Sequence, residues 1–253
     1  MPSRALSVLE APRAAQELMM RLVSSPALRR APRGDGHHVL VMPGFTGTDV
    51  STRVMRAFLR RLGYYVHAWR LGRNWGPTDH ILDGLAARFA SLSDEHERKL
   101  TLIGHSLGGI YARELARRAP DRVRQVVTLG SPVRWRRDSD SVVAPLYKSL
   151  RGIHSERARA RRLDTDHLPE SVPLTAIFSK TDGVVSWRSC VFDPDDLHEC
   201  IEVRGSHTGL IHNVASLRVV ADRLAQPEGE WSPYIQRAGI GARIWNGEAN
   251  VTR

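Results

Sequence analysis

In the run Leu100-Thr-Leu-Ile-Gly-His-Ser-Leu-Gly-Gly109, Ser106 has Gly104 two residues before it and Gly108 two residues after. This G-x-S-x-G pentapeptide joins an apolar run that reads as a strand, Leu100–Ile103, to an amphipathic run that reads as a helix, Leu107–Arg118. A serine on such a strand-to-helix turn takes strained backbone angles in crowded surroundings, and glycine is needed where a Cβ would collide. Its oxygen would stand at a helix N-terminus, where developing negative charge is favoured. Nucleophilic attack is the chemistry this placement suits. A plain helix-capping serine is the competing reading, and the strand in front of it argues against that.

A serine hydroxyl is a weak nucleophile at neutral pH. It needs a base within hydrogen-bond reach, and an imidazole base needs a carboxylate to fix its tautomer. Two residues downstream sit where open α/β sheets keep their working groups, just past the carboxyl end of a strand. Asp182 follows the predicted strand Pro173–Phe178, in Ser179-Lys-Thr-Asp182-Gly, and His207 follows the predicted strand Glu199–Val203, in Arg204-Gly-Ser-His207-Thr-Gly. The alternatives are Asp193, Asp195 or Asp196 as the acid and His212 as the base. The former sit in a Pro-containing turn, and the latter falls a turn or more into the last predicted helix. The bland readings are an Asx-turn residue for Asp182 and a polar loop histidine for His207.

The elements that must hold these residues alternate. After a turn at Pro32, Gly34 and Gly36, the unbroken apolar run His38–Met42 reads as a strand covered on both faces. A helix with Val54, Met55, Phe58, Leu59 and Leu62 follows, then strand Tyr64–Trp69, a helix begun by Asp79, the Ser106 unit, strand Val123–Leu129, the two strands before Asp182 and His207, and a last helix near Leu210–Ala225. This βαβ rhythm predicts an α/β fold: a mostly parallel central sheet with helices on both faces. Residues 133–171 break the rhythm and read as a basic, helical insertion at one edge. Residues 1–33 form a helical annex in which Ala15, Leu18, Met19, Leu22 and Val23 make a stripe expected to lie on the body.

The GHSLGG run resembles the nucleophile elbow of the α/β-hydrolase family, in its lipase and esterase branch, and the likeness extends over nearly the whole chain. The resemblance implies the α/β-hydrolase fold and the order nucleophile, acid, histidine, which Ser106, Asp182 and His207 satisfy. It implies an oxyanion hole made by the amide of Leu107 and by that of Phe45 in Met42-Pro-Gly-Phe45-Thr-Gly47; Pro43 stands where the family commonly has histidine. It also implies that 133–171 is a short helical lid, with Trp135, Val142, Val143, Leu146, Tyr147 and Leu150 over Ser106. Trp75 and Trp187, on loops at the same edge, are candidates for the substrate pocket or for rim packing. The expected activity is carboxylic-ester hydrolysis through an acyl-enzyme, on a small-molecule or lipid ester, with no metal and no organic cofactor. A peripheral membrane lipase or acyltransferase would use the same residues, and a catalytically silent binding protein is a third reading.

Composition bounds these readings. The chain has 253 residues, 42% hydrophobic and 25% charged, which fits one domain spanning 1–253 and excludes a collagen-like or disulfide-scaffold protein. Apolar stretches are far shorter than the roughly 18 residues that span a bilayer, and the apolar patch near the start carries Glu10 and Glu17, unlike a secretion signal. A soluble, cytoplasmic protein is expected. Its two cysteines, Cys190 and Cys200, read as free thiols, with a clip across a loop as the alternative. The net charge is +10, and residues 134–162 hold nine basic against three acidic side chains. Without interleaved aromatic residues or a DNA-binding motif that stretch predicts no nucleic-acid partner; a solvated face, or contact with an anionic membrane, is the reading left.

Overall fold

The computed structural model describes residues 2–23, 28–96, 98–133, 141–156, 168–235 and 241–245. Trp135 and most of the basic side chains of 134–162 lie outside these residues.

One seven-stranded sheet organises the chain, in the order β2-β1-β3-β4-β5-β6-β7. The strands are β1 His38–Met42, β2 Tyr65–Ala68, β3 Leu100–His105, β4 Val123–Leu129, β5 Leu174–Phe178, β6 His198–Val203 and β7 Ala242–Trp245. All neighbouring pairs are parallel except β6 with β7. The period of two along a strand sends alternate side chains to opposite faces. Leu40 and Met42 of β1 join one core with Leu100 and Leu102, while Val39 and Val41 join the other with Ile103. The first core is covered by α4 (Asp79–His96) through Ile81, Leu85, Phe89 and Leu92, and by α5 (Leu107–Arg118) through Ile110, Tyr111, Ala112 and Ala116. The second is covered by α3 (Arg53–Leu62) through Met55, Phe58 and Leu59, and by α7 (Val214–Leu224) through Leu217, Val220 and Leu224. Both faces being buried explains why the central strands are continuous apolar runs rather than alternating ones.

Three elements differ from the sequence expectation. β7 has no counterpart in the sequence pattern: four residues with Arg243 among them carry little strand signal, and the strand exists through its antiparallel pairing with Cys200–Val203. The last helix starts later than its apolar pattern suggests. Residues Gly209–Ile211 form a 3₁₀ turn, and Asn213 opens α7 by accepting from the amides of Ala215 and Ser216. The annex folds as α1 (Arg4–Val8) and α2 (Glu10–Val23), but with the Ala15, Leu18 and Met19 part of its stripe turned outward; the side chains of Leu22 and Val23 lie outside the described ones. Leu18 and Met19 are 39% and 62% exposed, Ala15 is also exposed, and the buried face of α2 instead carries Glu10 and Ala14. A polar surface of the body selects that face, as the site below shows.

No helix among the described residues is long and apolar enough to cross a membrane. The remaining part of the 133–171 insertion contains α6 (Ala144–Ser149) and a 3₁₀ turn at Arg151–Ile153. Cys190 and Cys200 are free and buried. The Cys200 thiol is hydrogen-bonded to the Phe192 backbone, and burial pushes it up to about 12; burial likewise raises Cys190. Thiols held protonated and out of solvent react slowly. A disulfide-forming thiol reagent at neutral pH should therefore find essentially no reactive thiol in the native protein and both after unfolding; rapid native labelling would contradict this burial.

Candidate active site

Ser106 is the residue at which β3 turns into α5. Its backbone sits at φ 52°, ψ −120°, a conformation that non-glycine residues rarely hold. Gly104 and Gly108 permit it. A Cβ on Gly104 would run into the backbone of Gly108 and Gly109, and one on Gly108 would come within 2.5 Å of the Met42 carbonyl oxygen. The β1 loop passes close over the turn as well, since a Cβ on Gly44 would lie 3.0 Å from the Ser106 Cβ. The Ser106 amide donates to the Leu129 carbonyl at 2.8 Å, which fixes the turn against the end of β4. Ser106 itself is only half-buried.

The next residue along β4's exit, Gly130, has φ 57°, and a Cβ there would stand 3.0 Å from Nδ1 of His207. The imidazole thus packs against the corner to which Ser106 is bonded. His207 Nδ1–H donates to Asp182 Oδ2 at 2.6 Å, with both side chains buried. The other Asp182 oxygen accepts from the amides of Val184 and Val185, each at 2.7 Å, so the carboxylate is satisfied on both sides. Hydrogen bonds to a charged group contribute about 1.5–3 kcal/mol each, enough to offset much of the cost of burying this one. With the proton on Nδ1, Nε2 is left as the basic nitrogen. Burial alone would pull the imidazole pKa down; the charge and hydrogen bond of Asp182, with the charge of Glu10, outweigh it and the net shift is upward. Next to it, His105 Nε2–H donates to the His207 carbonyl at 2.9 Å, and desolvation with the neighbouring His207 lowers His105 to about 3, so this second imidazole stays neutral.

Of the alternatives, Asp193 and Asp196 are exposed, while Asp195 and His212 have other partners. Asp195 pairs with His198 at 2.7 Å. His212 lies before α7 rather than within it, and its Nε2–H donates to the Ala14 carbonyl at 3.0 Å.

Of the two amides expected to hold an oxyanion, neither Phe45 nor Leu107 has a protein acceptor among the described residues. A buried side chain that the sequence did not single out shapes the Phe45 loop. Asn74, with no exposed surface, donates from Nδ2 to the Pro43 carbonyl at 2.9 Å, its own amide donates to Gly47 O at 2.9 Å, and its carbonyl accepts from Thr46 N at 2.6 Å. Thr46 takes φ 61° in this loop. Only a fold reveals such a partner, because the groups it satisfies are backbone atoms. Around Phe45 the insertion closes in: the Tyr147 ring meets Phe45 at 5.4 Å between centroids, His154 Nε2–H donates to the Trp75 carbonyl, and Val142 N donates to Val184 O. Val142 and Leu146 are 39% and 48% exposed.

Trp75 is 43% exposed with Arg73 over its ring, beside the Phe45 loop. Trp187 goes to a different environment. Its ring packs on Phe178 and Trp245, with Lys180 and Arg188 over it, and among the described residues its ring contacts are with these rather than with Ser106 or His207. That packing, at the β5–β7 side, depends on β7, which the sequence did not reveal. Among the described residues no group of three or more His, Cys, Asp or Glu gathers as a metal site.

A strained serine at the end of β3, with a carboxylate–imidazole pair on the loops after β5 and β6, can be compared with known architectures. A family model described as the alpha/beta hydrolase fold matches residues 96–169. Among solved structures, that of the metagenome-derived lipolytic enzymes LipS and LipT superposes with a TM-score of 0.55 at 20% identity, covering 76% of this chain and 93% of that one. The mature Bacillus licheniformis lipase BlEst2 gives 0.56 at 16% identity, covering 78% and 95%. Aspergillus fumigatus lipase B gives 0.55 at 16% identity, covering 79% and 57%. The fold is that of the α/β hydrolases. No curated protein sequence matches the chain significantly.

The α/β-hydrolase fold makes the Phe45 loop worth testing through Asn74. Asn74→Ala would strand the Pro43 carbonyl in a buried place, at a cost of about 1–3 kcal/mol. In a chain of this size the melting temperature should fall by roughly 3–10 °C; an unchanged melting temperature would show that the loop does not depend on Asn74.

Proposed function

We propose that the protein hydrolyses carboxylic esters through an acyl-enzyme on Ser106. The observation that carries the reading is the buried Asp182–His207 hydrogen bond at 2.6 Å, on loops beside the strained turn of Ser106. Ser106 Oγ forms a bond to the ester carbonyl carbon as its proton passes to His207 Nε2. The amides of Phe45 and Leu107 donate to the resulting oxyanion, a contribution of roughly 3–4 kcal/mol per donor in comparable sites. Collapse breaks the bond to the alkoxy group, which leaves as the alcohol with the proton from His207. Water then gives a proton to the same nitrogen and its oxygen to the acyl carbon, and the acid departs as Ser106 recovers its proton. Asp182 holds the imidazole tautomer and stabilises the imidazolium formed in each half. Tyr147, packed on Phe45, and Trp75, next to the Asn74 that holds the Phe45 loop, are proposed to border the acyl or alcohol group.

A second reading, action on esters presented at a lipid surface, is favoured by exposed apolar side chains in the annex and insertion: Val8, Leu9, Met19, Met20, Leu146 and Ile153. The two readings part on a chain-length series of p-nitrophenyl esters. Activity that jumps for long acyl chains above their aggregation threshold supports the second; activity confined to short soluble esters supports the first. In either case Ser106→Ala should lower kcat/KM by about 10⁴-fold or more. Comparable hydrolysis by both proteins would overturn the mechanism.

The reaction needs neutral His207, and the pKa of that residue is raised in the folded protein. Activity is therefore retained above that pKa and lost as pH falls through it. The acid limb of kcat/KM should lie above the ordinary imidazole value of 6.5; a limb at or below 6.5 would contradict the electrostatics of the site.

A further inference from the structure

Helix α2 meets the body through its polar face, and what that face touches is specific. Glu10 Oε1 accepts from the Thr208 amide at 2.7 Å, and Glu10 Oε2 accepts from the Gly183 amide at 3.1 Å. Thr208 follows His207 and Gly183 follows Asp182, so one carboxylate ties together the two loops that carry the acid and the histidine. Glu17, seven residues on and therefore on the same side of the helix, accepts from the Ser206 amide at 2.7 Å and from Asn213 Nδ2 at 3.2 Å. Between them Arg13 donates to Thr181 O at 2.8 Å and to Thr181 Oγ1 at 3.0 Å, and from α1 Ser7 Oγ donates to Gly183 O at 2.7 Å. The approach is close enough that a Cβ on Gly183 would run into the Leu6 carbonyl and one on Gly209 into the Glu17 carboxylate.

A surface helix ordinarily docks by its apolar stripe, because burying apolar area is the main driving force. This helix leaves Leu18, Met19 and Met20 in water and spends its buried face on backbone amides of residues 183, 206 and 208. Such a contact fixes positions more sharply than apolar area would, since each carboxylate oxygen accepts along a defined direction.

Resting on the ester-hydrolase reading above, we propose that Glu10 is a positioning residue of the catalytic site: its carboxylate clamps the Asp182 and His207 loops in register and places a second negative charge behind the imidazole. The charged and titratable groups facing His207 are Asp182 from the β5 loop, Glu10 from α2, and the His105 ring from β3, 4.9 Å away between centroids, with His212 acting on His105 from the turn before α7. Glu10 is the negative charge among them that lies outside the Asp182–His207 pair. Removing it disfavours the imidazolium that forms in each half of the reaction and loosens the geometry that the proton transfers need.

The test compares wild type with Glu10→Gln, Glu10→Ala and the exposed-face control Gln16→Ala. It records kcat and KM for a short p-nitrophenyl ester across pH, with the His207 ring titration followed by NMR. Glu10→Ala should lower kcat by about 10- to 100-fold with KM nearly unchanged. Glu10→Gln, which keeps one accepting oxygen but no charge, should retain more of kcat. In both variants the acid limb and the NMR titration of His207 should move to lower pH, while Gln16→Ala keeps the wild-type profile. If Glu10→Ala does not fold, the isosteric Glu10→Gln decides. A wild-type kcat and titration in Glu10→Gln overturn the proposal. So does a fall in kcat with an unmoved titration, which would make α2 a structural brace and nothing more. The ring titration needs no substrate and the Ser106→Ala comparison needs no Glu10 variant, so this proposal and the ester-hydrolase reading fail separately.

Discussion

The contact between Asp182 and His207 sets the demands that the surrounding structure meets. A carboxylate and an imidazole 2.6 Å apart and out of solvent are costly to assemble unless every remaining lone pair and proton finds a partner. The Val184 and Val185 amides supply the partners on one side, and the Gly130 corner leaves room for the ring to come close to the end of β4. Parallel strands deliver both loops to the same edge of the sheet, next to Ser106. The two apolar cores make that delivery rigid, since β3, β4, β5 and β6 are buried on both faces and their ends cannot drift independently.

The edge above Ser106 is built from backbone atoms as much as from side chains. Asn74 holds the Pro43–Gly47 loop, Tyr147 stands against Phe45, and the described part of the insertion runs from Val184 to the Trp75 loop, where Ser155 donates to Pro77 O and Asp79. The loops carrying Phe45, Asp182 and Trp75 are thereby connected to one another across the carboxyl edge. The side chains that would bear most of the +6 of residues 134–162 lie outside the described residues, so the fold attaches no function to that charge.

The legible part of the fold and site was the part governed by local pattern. Strand, glycine, serine, glycine and helix follow one another within ten residues around Ser106, and Asp182 and His207 each stand four residues past the end of a strand. The illegible part depends on what another segment offers. β7 is too short to announce itself and needs β6; Asn74 answers backbone carbonyls; Trp187, open in the sequence to a pocket or a packing role, packs against Trp245 of β7. The annex departs from its sequence pattern because of the surface it meets. Its stripe of Ala15, Leu18 and Met19 is real, but the surface it meets presents amides rather than apolar side chains, so Glu10 and Glu17, which in the sequence merely interrupt an apolar patch, are the residues that dock.

The central claim is that Ser106 forms a covalent acyl intermediate with His207 as its base. It is tested most directly by intact-protein and peptide mass spectrometry after exposure to an alkyl fluorophosphonate, which reacts at activated serine oxygens and stays attached. The account predicts one adduct per chain, on the peptide containing Ser106, and a rate of labelling that collapses in His207→Ala. Absence of labelling in the folded wild-type protein, or a modification on a serine other than Ser106, would contradict it.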